Sequence, residues 1–430
     1  MRLAFISLPC MIVALITVAA GLLVLQGRAQ TLYYGARPIP YRIARDSEAY
    51  IKIATGHLAE VESPFNKRIL YPALAGTVSR ACRLNLAVAF LTVNFLALAL
   101  FAYCVAAFLE EAIGRPFLAL VPLLSAYPFE SLALAYLPDL FDAAFTALFF
   151  LLLLKNCRVS AMVVLLFLCL VRDGTLLLCV VTAGVAWNRR DMGLVWKSLV
   201  VLVFGLILNS ALTTSGHSNS HHLWEPLYLV LKVLYNFMGN VFGLVFWTNL
   251  RPALGVPFVT WDVPSFLHKL GRDTQFGLAL NGWQPVNTLM VLATLFGNGP
   301  LFLIMFWRKI RHFALPLPVQ LALVYGLLSY FLGLALGNWV FRLVGYGWPA
   351  FWLALPYVLI KLDYRPDRRT ALLLLASFWT LSWLWSLSWS GSHRLPVLPL
   401  AVPLLYAVTY LCLRDAKLRA PGETVGAGFG

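Results

Sequence analysis

Charge is scarce in this chain: Asp, Glu, Lys and Arg make up only 12% of its 430 residues, about half the share of a soluble domain. Sequence repeats, low-complexity tracts and any stretch polar enough to form a soluble domain are also lacking. A water-facing surface cannot be built from so little charge when 61% of the residues are hydrophobic. Lipid accepts such a surface, because it replaces water around the apolar faces. The seven cysteines, Cys10, Cys82, Cys104, Cys157, Cys169, Cys179 and Cys412, form no CxxC and no zinc spacing, so they read as small apolar core residues rather than ligands or disulfide partners. Strict apolar–polar alternation is missing too. Runs such as FTALFFLLLL, Phe145 to Leu154, are continuously apolar, which argues against a transmembrane β-barrel. No Asn-x-Ser/Thr acceptor occurs, in keeping with a bacterial inner-membrane protein. The net charge of +15 comes with no basic helix or RNA motif, which argues against nucleic acid as a partner.

What is present is a series of apolar segments of crossing length. They fall near 3–25, 85–109, 117–137, 139–155, 159–171, 174–188, 192–213, 286–307, 318–337, 340–360, 371–390 and 396–413. The expected fold is therefore all-α, a polytopic bundle of about 12 transmembrane helices. The first segment is longer than a signal-peptide core and reads as an uncleaved helix. With the N-terminus placed in the cytoplasm, the inner turns hold Arg115; Lys155 and Arg158; Arg189, Arg190 and Lys197; Arg308, Lys309 and Arg311; Lys361, Arg365, Arg368 and Arg369; and Arg414, Lys417 and Arg419. Every inner turn is basic, as the positive-inside rule requires, with both termini cytoplasmic. Arg80 and Arg83 fall outside and run against the scheme. The chain divides into a membrane module at 1–190, membrane helices at 191–415 with a second external loop at 215–285, and a tail at 416–430. An apolar stretch within that loop, Leu227 to Leu250, reads as an interfacial or re-entrant helix, since a crossing there would invert every later loop.

Two further features precede any question of kinship. Arg172-Asp173 and Pro138-Asp139 interrupt long apolar runs, which is costly in hydrocarbon. Short helices meeting at external, water-accessible turns, with a depression above them, resolve the conflict. In the first external loop, Asp46, Tyr50, Ile53 and His57 recur at helical spacing, which predicts a juxtamembrane helix over 44–58 lying along the surface. Asp46 could be a solvated loop acid or a catalytic base, and the loop alone leaves both open. The HSNSHH cluster with His217, His221 and His222 reads as a polar loop, and Gly333 with Gly337 as a helix-packing pair.

An Asp four residues before a Tyr, followed by IATGH and SPFNKRILYPALAG, resembles the first external loop of GT-C superfamily glycosyltransferases, particularly bacterial enzymes that use polyprenyl-phosphate sugars. LPDLFDAAFTALFFLLLL and LFLCLVRDGTLLL resemble two later landmarks of that group, although Arg172-Asp173 stands where many relatives have Arg-Glu. The likeness covers roughly residues 1–190. It implies an inverting transfer from a polyprenyl-phosphate sugar to a lipid, glycan or protein acceptor at the outer face of the membrane, with Asp46 as the base. A departing phosphate needs cations, and Arg68, Arg172, Arg342 and Arg394, with His393, fall at outer positions. Each of these arginines could instead be an interfacial anchor or pair with a neighbouring acid. Tyr50 and His57 share the Asp46 face as substrate contacts, and Asp139 and Asp173 shape the cavity. No cofactor is required, although some relatives bind a divalent metal through acids at these places. A transporter or flippase, or an O-antigen polymerase or ligase, are the competing readings.

Overall fold

The structure, a computed structural model, describes residues 7–27, 43–61, 65–172, 174–213, 225–248, 276–280, 283–336, 340–364, 366–389 and 398–414. It is overwhelmingly helical. The helices are α1 (Leu8–Gly27), α2 (Ile43–Ala54), α3 (Leu70–Cys82), α4 (Leu86–Ile113), α5 (Leu120–Leu123), α6 (Ala126–Ala133), α7 (Asp139–Leu154), α8 (Arg158–Cys169), α9 (Thr175–Asn188), α10 (Met192–Thr213) and α11 (Glu225–Phe242). A short antiparallel ribbon follows, β1 (Leu244–Thr248) with β2 (Phe276–Leu280). The remaining helices are α12 (Trp283–Phe296), α13 (Gly299–Ile310), α14 (Leu317–Leu336), α15 (Val340–Gly345), α16 (Trp348–Lys361), α17 (Arg368–Trp389) and α18 (Leu398–Arg414).

Among the described residues, four helices are long and apolar enough to cross a bilayer, and up to six spans result if each of two bent helix pairs counts as one. These helices carry apolar side chains on both sides. On α1, Val13 is buried while Leu8, Leu15 and Leu23 are exposed, and on α10 Val203, Phe204 and Ile207 are exposed. That all-round hydrophobicity suits a helix with protein on one side and lipid on the other. The expected twelve segments appear only in this coarser form. Helices α7, α8 and α9 have 16, 12 and 14 residues, short of the ~20 a perpendicular crossing needs.

The core forms where α4, α7, α14 and α16 pack together. Helix α4 starts cleanly because Asn85 Oδ1 accepts the Ala87 N–H at 2.9 Å, an N-cap, and it stops at Gly114, whose φ of 70° is left-handed. Trp348 packs against Phe101 of α4, with ring centroids 5.7 Å apart, and stacks on Tyr127 of α6 at 4.7 Å. Gly333 lets α14 meet α15: a Cβ there would lie 2.7 Å from the Val344 backbone. The packing role expected of this glycine is what the structure displays; Gly337 lies outside the described residues.

Two segments expected to be continuous are broken. The 117–137 segment bends by 61° between α5 and α6, and the 286–307 segment bends by 71° between α12 and α13. At each break, side chains of distant helices satisfy backbone groups that the helix no longer serves. Trp379 Nε1 donates to Val121 O at 3.2 Å, and Tyr406 Oη donates to Gly297 O at 2.8 Å. This is how irregular backbone is tolerated inside a helical membrane protein. Trp383 stacks on Phe129 at 5.9 Å, so it is a packing residue of the α6 contact. The 227–250 stretch divides into α11 and β1 at Gly243, whose φ is 69°. Helix α11 docks on α14 and α12, and Asn240 Nδ2 donates to Leu334 O at 2.8 Å.

The bundle has two chemically distinct ends. At one, Ser7 Oγ donates to Glu110 at 2.8 Å, Arg158 pairs with Asp191 at 2.9 Å, and Arg189 Nε donates to Gln320 at 2.6 Å. Lys155 and Arg190 belong to the same turns. The basic inner turns read from the sequence at 155–158 and 189–191 thus come together at one end. The breaks at 138–139 and 170–172 come together at the other.

Candidate functional site

The second end holds a cluster of buried charges. Asp139 opens α7, Arg172 follows the C-terminus of α8, and Arg342 lies in α15. Arg172 Nη1 donates to Asp139 Oδ1, and Arg342 Nε donates to Asp139 Oδ2 at 2.9 Å and to Oδ1 at 3.2 Å. One carboxylate therefore receives two guanidinium groups. Asp139 and Arg172 are each 3% exposed and Arg342 is 6% exposed. The turns at 138–139 and 170–172 were expected to be water-accessible. They are buried instead, because α15 and the following turn close over them. The guanidinium carbon of Arg172 lies 3.9 Å from the ring centroid of Tyr346, a desolvated cation–π contact. Arg172 Nε is buried and donates no hydrogen bond among the described residues.

The first loop joins this end. Arg68 precedes α3, and its Nη1 donates to Tyr50 Oη at 3.3 Å. Its guanidinium lies 5.5 Å from the Phe65 ring, which packs edge-on against Tyr50 at 5.9 Å. Tyr50 is fully buried, so the inner face of α2 is pinned to the segment before α3. Leu70 N donates to Leu170 O at 3.2 Å, tying that segment to the turn that carries Arg172. Gly76 of α3 allows the close approach of α2, since a Cβ there would collide with the Ala54 carbonyl.

The expected site residues fall into three groups. Arg68, Tyr50, Arg172, Arg342 and Asp139 are brought to one end of the bundle. His57 is not. Helix α2 stops at Ala54, and Gly56 turns the chain with a φ of 94°. His57 is exposed there, with Nδ1 3.0 Å from Thr55 Oγ1. The helix was expected to continue to 58, and its earlier end removes His57 from the Tyr50 face. The third group, Asp173, His393 and Arg394, lies outside the described residues, as does the side chain of Asp46, whose backbone sits in the first turn of α2. The histidine cluster at 217–222 also lies outside them.

Sequence reasoning passed over Tyr346 and placed Asp142 only among the acids available to a divalent metal. Tyr346 sits in a Gly-Tyr-Gly turn between α15 and α16; that pair of glycines was the available signal for an aromatic placed at a helix break. Asp142 follows Asp139 by one turn of α7 and is 6% exposed, and its N–H donates to Pro138 O at 2.8 Å. Beside this end, α3, α4 and α7 leave an apolar cleft of about 150 Å³, with Leu74, Leu96, Phe141 and Phe145 among its walls. Phe141 meets Tyr71 there, with ring centroids 5.6 Å apart.

Among the described residues no three His, Cys, Asp or Glu side chains converge as metal ligands. The arrangement brings guanidinium groups, aromatic faces and acids together at one end of an apolar bundle. No protein family's sequence profile matches this chain, and no curated protein sequence matches it.

Proposed function

We propose that this chain is a GT-C-type membrane glycosyltransferase of about twelve crossings, placed in a bacterial inner membrane with both termini cytoplasmic. It moves a sugar from a polyprenyl-phosphate donor to a lipid, glycan or protein acceptor at the outer face. The observation that carries this reading is the convergence of Arg172 and Arg342 on Asp139 beside the Arg68–Tyr50 contact of the first loop. Two buried arginines so placed make a positive end to which a lipid-borne phosphate is drawn. Asp139 holds their planar forks in fixed orientation, and Arg172 Nε remains as a donor for the anion.

In this mechanism the isoprenoid tail lies in apolar contact with the bundle, and the cleft lined by Phe141 and Phe145 supplies such a surface within one residue of Asp142. The acceptor hydroxyl attacks the anomeric carbon as the bond to the phosphate oxygen breaks, inverting the centre. Asp46, on the helix pinned by Tyr50, takes the hydroxyl proton. Arg68 and Arg172 stabilise the charge on the departing phosphate where water is excluded.

The test uses purified protein in lipid nanodiscs with a panel of polyprenyl-phosphate sugars and membrane-extracted acceptors. Transfer is expected from at least one donor, with near-complete loss in Asp46→Asn at unchanged thermal stability. Unchanged turnover in that variant removes Asp46 as the base. Solute movement through proteoliposomes without a covalent product replaces this reading with a transporter.

A further inference from the structure

The start of α17 combines cations with exposed apolar surface, far from the charged cluster. Tyr364, which precedes this helix, packs against Phe302 and Phe306 of α13, with ring centroids 5.6 and 6.0 Å apart. Helix α13 leads into the segment whose Leu315 O and Gln320 accept from Arg189. The start of α17 therefore lies at the end of the bundle opposite Asp139.

One face of α17 is committed to protein. Leu374 O accepts from Asn298 Nδ2 at 3.0 Å, Ser377 Oγ lies 3.0 Å from Thr409 Oγ1, and Phe378 meets Trp352 with ring centroids 4.9 Å apart. The other face is uncovered among the described residues. Arg368, Arg369, Leu372, Leu373 and Ala376 line an open, shallow groove of about 490 Å³. Leu372 is 59% exposed and Leu373 44%. These residues recur three and four positions apart, so they form one continuous stripe, basic at its start and apolar beyond.

The two arginines differ from other cations at this end. Arg158 is paired with Asp191, and Arg189 donates to Gln320. The side chains of Arg368 and Arg369 form no hydrogen bond or ion pair among the described residues. The adjacent acid, Asp367, binds Thr370 with both of its oxygens. Two guanidinium groups without a counter-ion call for an anion, and a phosphodiester matches their planar donors. The leucines below them call for hydrocarbon. A soluble anion would meet the charge and leave the leucines bare, and an uncharged lipid would do the reverse. An amphiphile with an anionic head meets both demands.

We propose that this stripe binds an anionic phospholipid of the leaflet opposite the Asp139 cluster. Its phosphodiester sits between Arg368 and Arg369, and the first acyl methylenes run along Leu372, Leu373 and Ala376. The site stands apart from sugar transfer and does not depend on it.

The experiment titrates delipidated full-length protein in detergent at neutral pH with phosphatidylglycerol, read by native mass spectrometry. Phosphatidylcholine and glycerophosphate are the comparison probes, and phosphatidylglycerol is expected to bind more tightly than either. The double variant Arg368→Gln/Arg369→Gln should bind it about thirtyfold more weakly. Arg308→Gln/Lys309→Gln removes the same charge from exposed positions at the end of α13, and should change binding by less than about threefold. Phosphatidylglycerol with a photoreactive acyl chain should cross-link the wild type within 372–376, which keeps the test decisive if a variant fails to fold. Equal losses in the two double variants, or cross-links elsewhere, overturn the assignment. So does phosphatidylcholine or glycerophosphate binding as tightly as phosphatidylglycerol, or no phosphatidylglycerol binding at all.

Discussion

Arg342 Nε lies 2.9 Å from Asp139 Oδ2 although 203 residues separate them in the chain. The contact joins α7 of the first half to α15 of the second, and Arg172 closes the same carboxylate from a third element. Long-range ion pairs of this kind are costly to bury, and they fix which helix ends meet.

Breaking that triad should destabilise the bundle in a definite order. Asp139→Asn removes the carboxylate that two buried guanidinium groups share and should cost about 3–5 kcal/mol. Arg342→Met should cost less, because Arg172 still neutralises the acid. Thermal unfolding in one detergent, read by intrinsic fluorescence, gives the order; equal stability of all three proteins would show that the cations are held by something else.

Gly76 permits the contact between α2 and α3, so Gly76→Ala should force the two helices apart at Ala54. Overpacking of this kind costs about 1–3 kcal/mol. Because α2 carries Asp46, sugar transfer should fall by a larger factor than the stability loss accounts for, and Gly76→Ser should behave likewise. Wild-type activity in a stable Gly76→Ala protein would show that the position of α2 does not matter to turnover.

The Arg68–Tyr50 hydrogen bond should be worth little to stability and more to binding. Tyr50→Phe removes one acceptor and should cost about 0.5–1.5 kcal/mol in thermal unfolding. Arg68→Gln should weaken farnesyl monophosphate binding at least tenfold by calorimetry, with the melting temperature shifting only slightly.

Cys82 is exposed at the end of α3, and Cys157 sits in the Lys155–Arg158 turn at the opposite end. In intact cells, a membrane-impermeant maleimide should label Cys82 and spare Cys157. Labelling of Cys157 alone would turn the bundle upside down and place the charged cluster in the cytoplasm.

Asp367 caps α17: its Oδ1 accepts the Thr370 N–H and its Oδ2 the Thr370 hydroxyl, both at 2.9 Å. These bonds, the backbone one foremost, hold its carboxyl below the usual range. A lowered folded-state value means the cap's contribution is present above the ordinary carboxylate pKa and is lost as pH falls through the lowered one. Amide exchange at the start of α17 should therefore accelerate on acidification in the wild type, and be fast and pH-insensitive in Asp367→Ala once corrected for intrinsic rates.

Much of this arrangement was legible in the sequence because charge in an apolar chain is so rare that each ion narrows the topology. Arg68, Arg172, Arg342 and Asp139 were all selected for falling at one end of the helices, and they meet there. The burial of Arg172, Arg342 and Asp139 was not legible, since it depends on α15 and Tyr346 folding over them, a tertiary event with no local periodicity. The bends at 124–125 and 297–298 were hidden for a related reason. The backbone groups they expose are served by Trp379 and Tyr406, hundreds or scores of residues away. His57 was misplaced because helical spacing continues past Ala54 while Gly56 does not.

Ala135 O accepts from Asn94 Nδ2 at 2.7 Å and also from the Tyr71 hydroxyl. Both lone pairs of that carbonyl are thereby engaged from outside, so the chain between α6 and α7 cannot wind into a continuous helix. Tyr71 stands three residues after Arg68, and Ala135 four residues before Asp139. The segment that follows Arg68 is thereby moored to the turn that leads into α7, and Tyr71→Phe would leave Asn94 to hold that turn by itself.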